Sequence, residues 1–173
     1  MPTEVEAAES LEDMFARRAR EDHIDAVLGP YSAPSPEQVA AVTEWAAQLD
    51  AAVDREWLEL FIDGRPIMLD RLADLTDPNL AWGQCHEVSS IMEEWCQFAA
   101  QDMPVHSAVV VQGMTRRVGT LQAHYALAVV LEEGDAPVIV DLTHSQINAA
   151  VPFPLVAAPA DWIEAIHTVH PVR

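Results

Sequence analysis

Two apolar runs separated by a short polar turn constrain the fold of this chain more than any other stretch. Gln122 to Leu131 contains Ala123-His124-Tyr125-Ala126-Leu127-Ala128-Val129-Val130. Val138-Ile139-Val140-Asp141-Leu142 follows after Glu132-Glu133-Gly134-Asp135-Ala136-Pro137. Short runs rich in Val and Ile, bounded by Gly, Asp and Pro, predict two strands joined as an antiparallel hairpin. Upstream, Val88, Ile91, Met92, Trp95 and Ala99 recur at helical spacing, which predicts a helix from His86 to about Asp102 with Cys85 at its opening. Pro104 ends that helix. Val105 to Val111 predicts a first strand, and Gly113 to Thr120 a basic, glycine-containing loop or hairpin tip. Helices first and a small antiparallel sheet afterwards make the fold class α+β, with the Cys85 helix packed on the sheet.

The remaining segments fit around that core. Val5 to Leu28 alternates charged and apolar positions at helical spacing and stops at Gly29-Pro30. Ser35, Pro36 and Gln38 form a capping-box start for a helix carrying Val39, Val42, Trp45, Ala46 and Leu49. That helix is expected to run on through Trp57, Leu58 and Phe61 until Gly64-Arg65-Pro66 breaks it. Ile67 to Leu75 reads as a short helix or irregular apolar segment, and Thr76-Asp77-Pro78-Asn79 as a turn leading to Trp82-Gly83-Gln84-Cys85. Val151 to Pro159 is extended, and Asp161 caps a short helix with Trp162, Ile163 and Ile166. The expected organisation is a single domain, with residues 1–66 a helical portion and 67–173 an α+β core.

Charge and cysteine usage narrow the function. A formal net charge of −19 over 173 residues repels phosphate backbones and anionic lipid, so neither nucleic acid nor membrane is an expected partner. The acidic N-terminal helices are the surface on which a protein partner would sit. No run approaches the roughly 20 apolar residues of a membrane span. The N-terminus lacks the basic and apolar regions of a secretory signal, and the two cysteines, Cys85 and Cys96, stand three turns apart on one helix. They are too far apart to bond, and a cytoplasmic location is expected.

Three side chains stand out chemically. Cys85 lies on the buried side of its helix at the N-terminus, where free N–H groups favour a thiolate and donate to an oxyanion. His124 interrupts an apolar strand, and Asp141 ends the next one; each needs a polar partner if buried. With a turn near Glu132-Glu133, Asp141 falls opposite or nearly opposite His124. Asp141 would then orient His124, and His124 would take the Cys85 proton. Gln84, Asn79 and the backbone N–H of Cys85 are the candidate oxyanion donors, and Trp82 a candidate wall of the substrate channel. A metal centre drawn from Cys85, His86, His124, Asp141 and His144 matches no compact ligand spacing, so no metal is expected.

The segments Gly83-Gln84-Cys85-His86-Glu87, Ala123-His124-Tyr125-Ala126-Leu127 and Val138-Ile139-Val140-Asp141-Leu142-Thr143 resemble the three active-site motifs of the papain-like and transglutaminase-like cysteine enzymes. The resemblance spans about Trp82 to Gln146. It implies Cys85 as nucleophile, His124 as general base and then acid, and Asp141 as orienting residue. Tyr125 fits the aromatic or small residue that often follows the His. No Trp follows Cys85, which departs from ordinary papain-type peptidases.

The expected activity is hydrolysis or deamidation of an amide in a peptide, protein or small molecule through a Cys85 thioester, without a cofactor. Transfer to an amine on the same residues is one alternative, and a non-catalytic acidic binding module is the other.

Overall fold

The structure, a computed structural model, describes residues 33–117 and 120–167. The helix expected over Val5 to Leu28 lies outside them. The first described helix, α1 (Pro36–Ala47), begins with the expected capping box: Ser35 Oγ accepts from the Gln38 N–H at 3.1 Å, and Gln38 Oε1 accepts from the Ser35 N–H at 2.8 Å. Its buried residues Val42, Trp45 and Ala46 face the core.

α1 does not continue to Phe61. After a single turn, α2 (Leu49–Ala52), the chain forms a two-stranded hairpin of β1 (Glu59–Ile62) and β2 (Arg65–Met68). Asp63 and Gly64 both have positive φ, 52° and 75°, and make the tight two-residue turn. Gly64 therefore closes a hairpin where a helix break was expected, and the expected helical portion 1–66 holds β1 and the start of β2. An Asp-Gly pair between alternating residues is a strong hairpin signal, but Trp57, Leu58 and Phe61 also match helical spacing. Pairing of Leu60 with Ile67 on the inner face decides the conflict. Leu72–Thr76 is a 3₁₀ turn, and α3 (Pro78–Ala81) is capped by Asp77, whose Oδ1 accepts from the Asn79 N–H at 2.9 Å.

α4 (Cys85–Phe98) carries Cys85, Val88, Met92 and Trp95 on its buried side. It ends four residues before Asp102. The main sheet is antiparallel, in the order β3 (Ser107–Arg117), β4 (Thr120–Val130), β5 (Val138–Asp141) and β6 (Leu155–Ala157). Residues 113–117, expected in a loop or hairpin, extend β3, and pairing with β4 continues to Arg117↔Thr120. The final helix, α5 (Pro159–His167), starts before Asp161, so that residue sits in the first turn, where its charge suits the helix dipole, while the Trp162 N–H bonds to Ala158.

Strand alternation divides the core. Leu127, Val129, Val138 and Val140 pack with Val88, Met92, Trp95 and the α1 residues on one face. Val111, Ala126, Ala128 and Ile139 pack with Trp162 and Ile166 of α5 on the other. The α5 face is lined with small residues, so this helix lies close to the sheet. A Cβ at Gly113 would overlap Ile166 Cδ1 and lie 2.9 Å from Trp162 Cη2. The substitution Gly113→Ala is accordingly expected to displace α5 and cost about 1–3 kcal/mol, read as a lowered midpoint in urea unfolding. An unchanged midpoint would show that α5 is not seated on this strand.

Candidate active site

The register fixes which side chains meet. Leu127 pairs with Val140, so one step further Asp141 lies across from Ala126, with His124 diagonal to it on the α5 face. Asp141 is therefore offset by two residues from His124 but on the same side of the sheet, and His124 Nε2 lies 2.7 Å from Asp141 Oδ2. β5 stops at Asp141, so His124 and Tyr125 of β4 extend beyond the end of its ladder. Cys85 occupies this position from the first turn of α4. Its sulfur lies against the His124 side chain and the Tyr125 backbone N–H, both of which favour its ionised form. The structure thus brings Cys85, His124 and Asp141 together, and all three are buried.

The carboxylate has more partners than the imidazole alone. Oδ2 also accepts from Trp162 Nε1–H at 3.0 Å and faces His144 Nδ1 at 3.2 Å, while Oδ1 accepts from the Thr143 N–H at 3.1 Å. An ionised carboxylate only accepts, so His124 carries hydrogen on Nε2 and His144 on Nδ1. That leaves Nδ1 of His124 for the thiol. Sequence reasoning missed the roles of His144 and Trp162. Trp162 shows in the sequence only as an apolar helix position, and His144 only as a residue beyond a strand end and a metal ligand that the spacing does not support. The 3₁₀ turn His144–Gln146 returns the His144 ring to Asp141.

That turn also grips the nucleophile loop. Gln146 Oε1 accepts from the Gly83 N–H at 3.1 Å, and Ser145 Oγ donates to the Leu75 carbonyl at 2.6 Å. On the other side, Gln84 Nε2 donates to the Phe61 carbonyl at 3.1 Å and a Glu87 carboxylate oxygen accepts from the Phe61 N–H at 3.3 Å. The β1–β2 hairpin is thereby tied to the first turn of α4.

The oxyanion candidates sort accordingly. The Gln84 amide donates to the Phe61 carbonyl, and Asn79 is exposed on α3. The first backbone N–H groups of α4, beginning at Cys85, have no intrahelical acceptor and remain suited to it. Trp82 is half exposed three residues before Cys85. His86, exposed beside the thiol, meets Tyr125 edge to face at 4.7 Å between ring centroids, a contact joining the Cys85 helix to the His124 strand.

Electrostatics follow from these contacts. Burial alone would raise the Cys85 pKa, but the His124 hydrogen bond and charge, with the Tyr125 N–H, outweigh it and lower the pKa below the ordinary thiol value of 9.0. Burial would lower that of His124, yet the Asp141 charge and hydrogen bond and the Cys85 contacts raise it to about 9. For Asp141, burial is overcome by His124 and then His144, which hold the carboxyl far below its ordinary range. Cys96, with burial and the Glu93 charge both against ionisation, is pushed up to about 12.

Ligand atoms of His124, Asp141 and His144 lie within 4.8 Å of one another, a spacing a metal ion would accept. Two observations favour hydrogen bonds instead. The 2.7 Å separation of His124 Nε2 and Asp141 Oδ2 is shorter than the edge of about 3.3 Å between ligands of a tetrahedral zinc. The Trp162 N–H, which cannot ligate, points at the same oxygen.

Comparison of the chain with family models, curated proteins and solved structures returns no match. Among the described residues no helix is long and apolar enough to cross a membrane.

Iodoacetamide at neutral pH is expected to alkylate Cys85 and leave Cys96 unmodified, as read by peptide mass spectrometry. Equal labelling of the two would contradict the depressed Cys85 pKa.

Proposed function

We propose that this protein is a cysteine-dependent enzyme of the papain-like or transglutaminase-like kind that hydrolyses or deamidates an amide through a Cys85 thioester. The observation that carries the proposal is the position of His124, beside the Cys85 sulfur and, through its Nε2, 2.7 Å from a buried carboxylate. This arrangement matches the roles required for nucleophilic thiol catalysis.

In the proposed cycle the Cys85 thiolate attacks the carbonyl carbon while His124 holds the proton. The oxyanion forms beside the free N–H groups at the start of α4. His124 gives its proton to the departing amine or ammonia, leaving a thioester on Cys85. Water then attacks the thioester while His124 takes a proton from it, and the acid is released as the Cys85 thiolate leaves beside the imidazolium. Trp82, half exposed three residues before Cys85, is the candidate wall of the approach to the sulfur. Hydrolysis is preferred to transfer, since nothing in the described residues marks an acceptor-amine pocket.

The test combines ammonia release, peptide cleavage and amine incorporation, measured on glutamine- and asparagine-containing peptides, with trapping of an acyl adduct on Cys85 by intact mass. One of these activities is expected, and Cys85→Ala should abolish it while the circular dichroism spectrum stays that of wild type. Turnover that survives Cys85→Ala would remove the proposal.

The charge state fixes the pH profile. The productive pair is thiolate with imidazolium, which exists between the lowered Cys85 pKa and the raised His124 pKa. The value of kcat/KM is expected to fall as pH drops through the first and to fall again as pH rises through about 9, where His124 loses its proton. A rate still climbing above that point, as for an isolated thiol, would show that His124 is not the acid.

A further inference from the structure

We propose that His144 is a positioning residue that keeps the Asp141 carboxylate ionised and aimed at His124 while the His124 ring passes through its neutral form. This rests on Cys85, His124 and Asp141 acting as one unit. In the cycle, His124 is neutral from the moment it protonates the leaving group until it draws a proton from water. During that interval Asp141, with no solvent exposure, loses the cation beside it. A buried carboxylate deprived of its counter-charge tends to take a proton or turn away. Either event would release the Nε2–H of His124 and free the ring to rotate.

The structure supplies three further donors against this. The Thr143 N–H holds Oδ1, and the Trp162 indole N–H holds Oδ2 from α5. His144 is the third, with its Nδ1–H directed at Oδ2 from 3.2 Å. Its ring also stands edge-on to His124, 6.5 Å between centroids and 73° between planes. His144 is itself 4% exposed, so its hydrogen bond is screened from water. The titratable groups facing the pair are thus Cys85 from α4, His124 from β4, Asp141 from β5 and His144 from the following turn. α5 contributes the uncharged Trp162. A cavity of about 60 Å³ against the outer side of Asp141 and His144 gives a substituted ring room to settle.

The test needs no substrate. The rate constant for Cys85 alkylation by iodoacetamide is measured against pH on the 173-residue chain, alongside thermal unfolding. For His144→Phe, which keeps a ring but loses the N–H, the neutral-pH rate is expected to fall about tenfold. The onset of reactivity should move up by about one pH unit, because a misaimed Asp141 no longer holds His124 as imidazolium. His144→Asn places an amide N–H where Nδ1–H stood and should restore both to within about threefold of wild type. A His144→Phe profile that superimposes on wild type overturns the proposal alone. Equal shifts in the Phe and Asn variants also overturn it, because an N–H supplied at that place would then restore nothing. A wild-type Cys85 no more reactive than Cys96 overturns both the proposal and the pair on which it rests. Should His144→Phe fail to fold, nitrogen-detected imidazole spectra of the wild type decide: hydrogen on Nδ1 of His144 is expected, and hydrogen on Nε2 alone overturns the assignment.

Discussion

A carboxylate sealed from solvent must find its hydrogen-bond donors inside the protein, and Asp141 finds four. His124, Trp162 and His144 converge on Oδ2, and the Thr143 backbone N–H takes Oδ1. Each donor comes from a different place: β4, α5, the 3₁₀ turn and the residue two further along the chain. The charge therefore ties together the layers of the fold as well as the side chains of the candidate site. An unpaired carboxylate at this depth would cost several kcal/mol, so the arrangement of strand, helix and turn around it is strongly specified. Removing any one donor leaves the others overworked, and removing the carboxylate leaves two buried imidazoles and an indole N–H without their acceptor.

The layers deliver those donors through side-chain size. Along β4, Ala126 and Ala128 point to the α5 face, while Leu127 and Val129 point to the α4 face. Small residues on one side admit α5 closely enough for Trp162 Nε1 to reach Asp141. Large ones on the other fill the space under α4 and hold its axis at a distance. Gly113 on β3 continues the small-residue face, where a methyl group would already overlap Ile166. The termination of β5 at Asp141 is equally consequential. Were β5 longer, its backbone would occupy the position beside Tyr125 where the Cys85 sulfur now sits. A short strand next to a long one creates the gap, and the N-terminus of α4 fills it.

What could be read from the chain beforehand follows the range of the forces involved. The α4 helix, the strands β4 and β5, and the capping box at Ser35 are legible because periodicity, turn residues and cap chemistry act over a few positions. The meeting of His124 with Asp141 needed only a hairpin register, and the period of two kept both on one face even with a two-residue offset. The β1–β2 hairpin was missed because helical and strand spacings coexist from Trp57 to Phe61, and burial of Leu60 against the core chose between them. Extension of β3 to Arg117 was hidden because its glycine looks like a turn residue, whereas its role is to make room for a helix some fifty positions later. Trp162 and His144 could not be assigned from sequence, as nothing local distinguishes a tryptophan that merely fills a core from one whose N–H has an acceptor waiting.

The two cysteines show how much of the candidate chemistry lies in partners and how little in depth. Cys85 and Cys96 lie on one helix, neither bonded to another sulfur, and each is largely withdrawn from water. Desolvation opposes ionisation at both, and on that ground alone both would be inert. At Cys96 the nearest charge is Glu93, one turn back on the same helix, so repulsion adds to burial. At Cys85, His124 and then the Tyr125 N–H act in the opposite direction and outweigh both burial and the Asp141 charge. The sign of the difference depends on His124 being protonated, and that depends on a carboxylate which Trp162, His144 and Thr143 hold in its ionised form. The ionisation of the thiol at one end of α4 is thus coupled to a hydrogen-bond arrangement on the far side of the sheet, reached through a single imidazole ring.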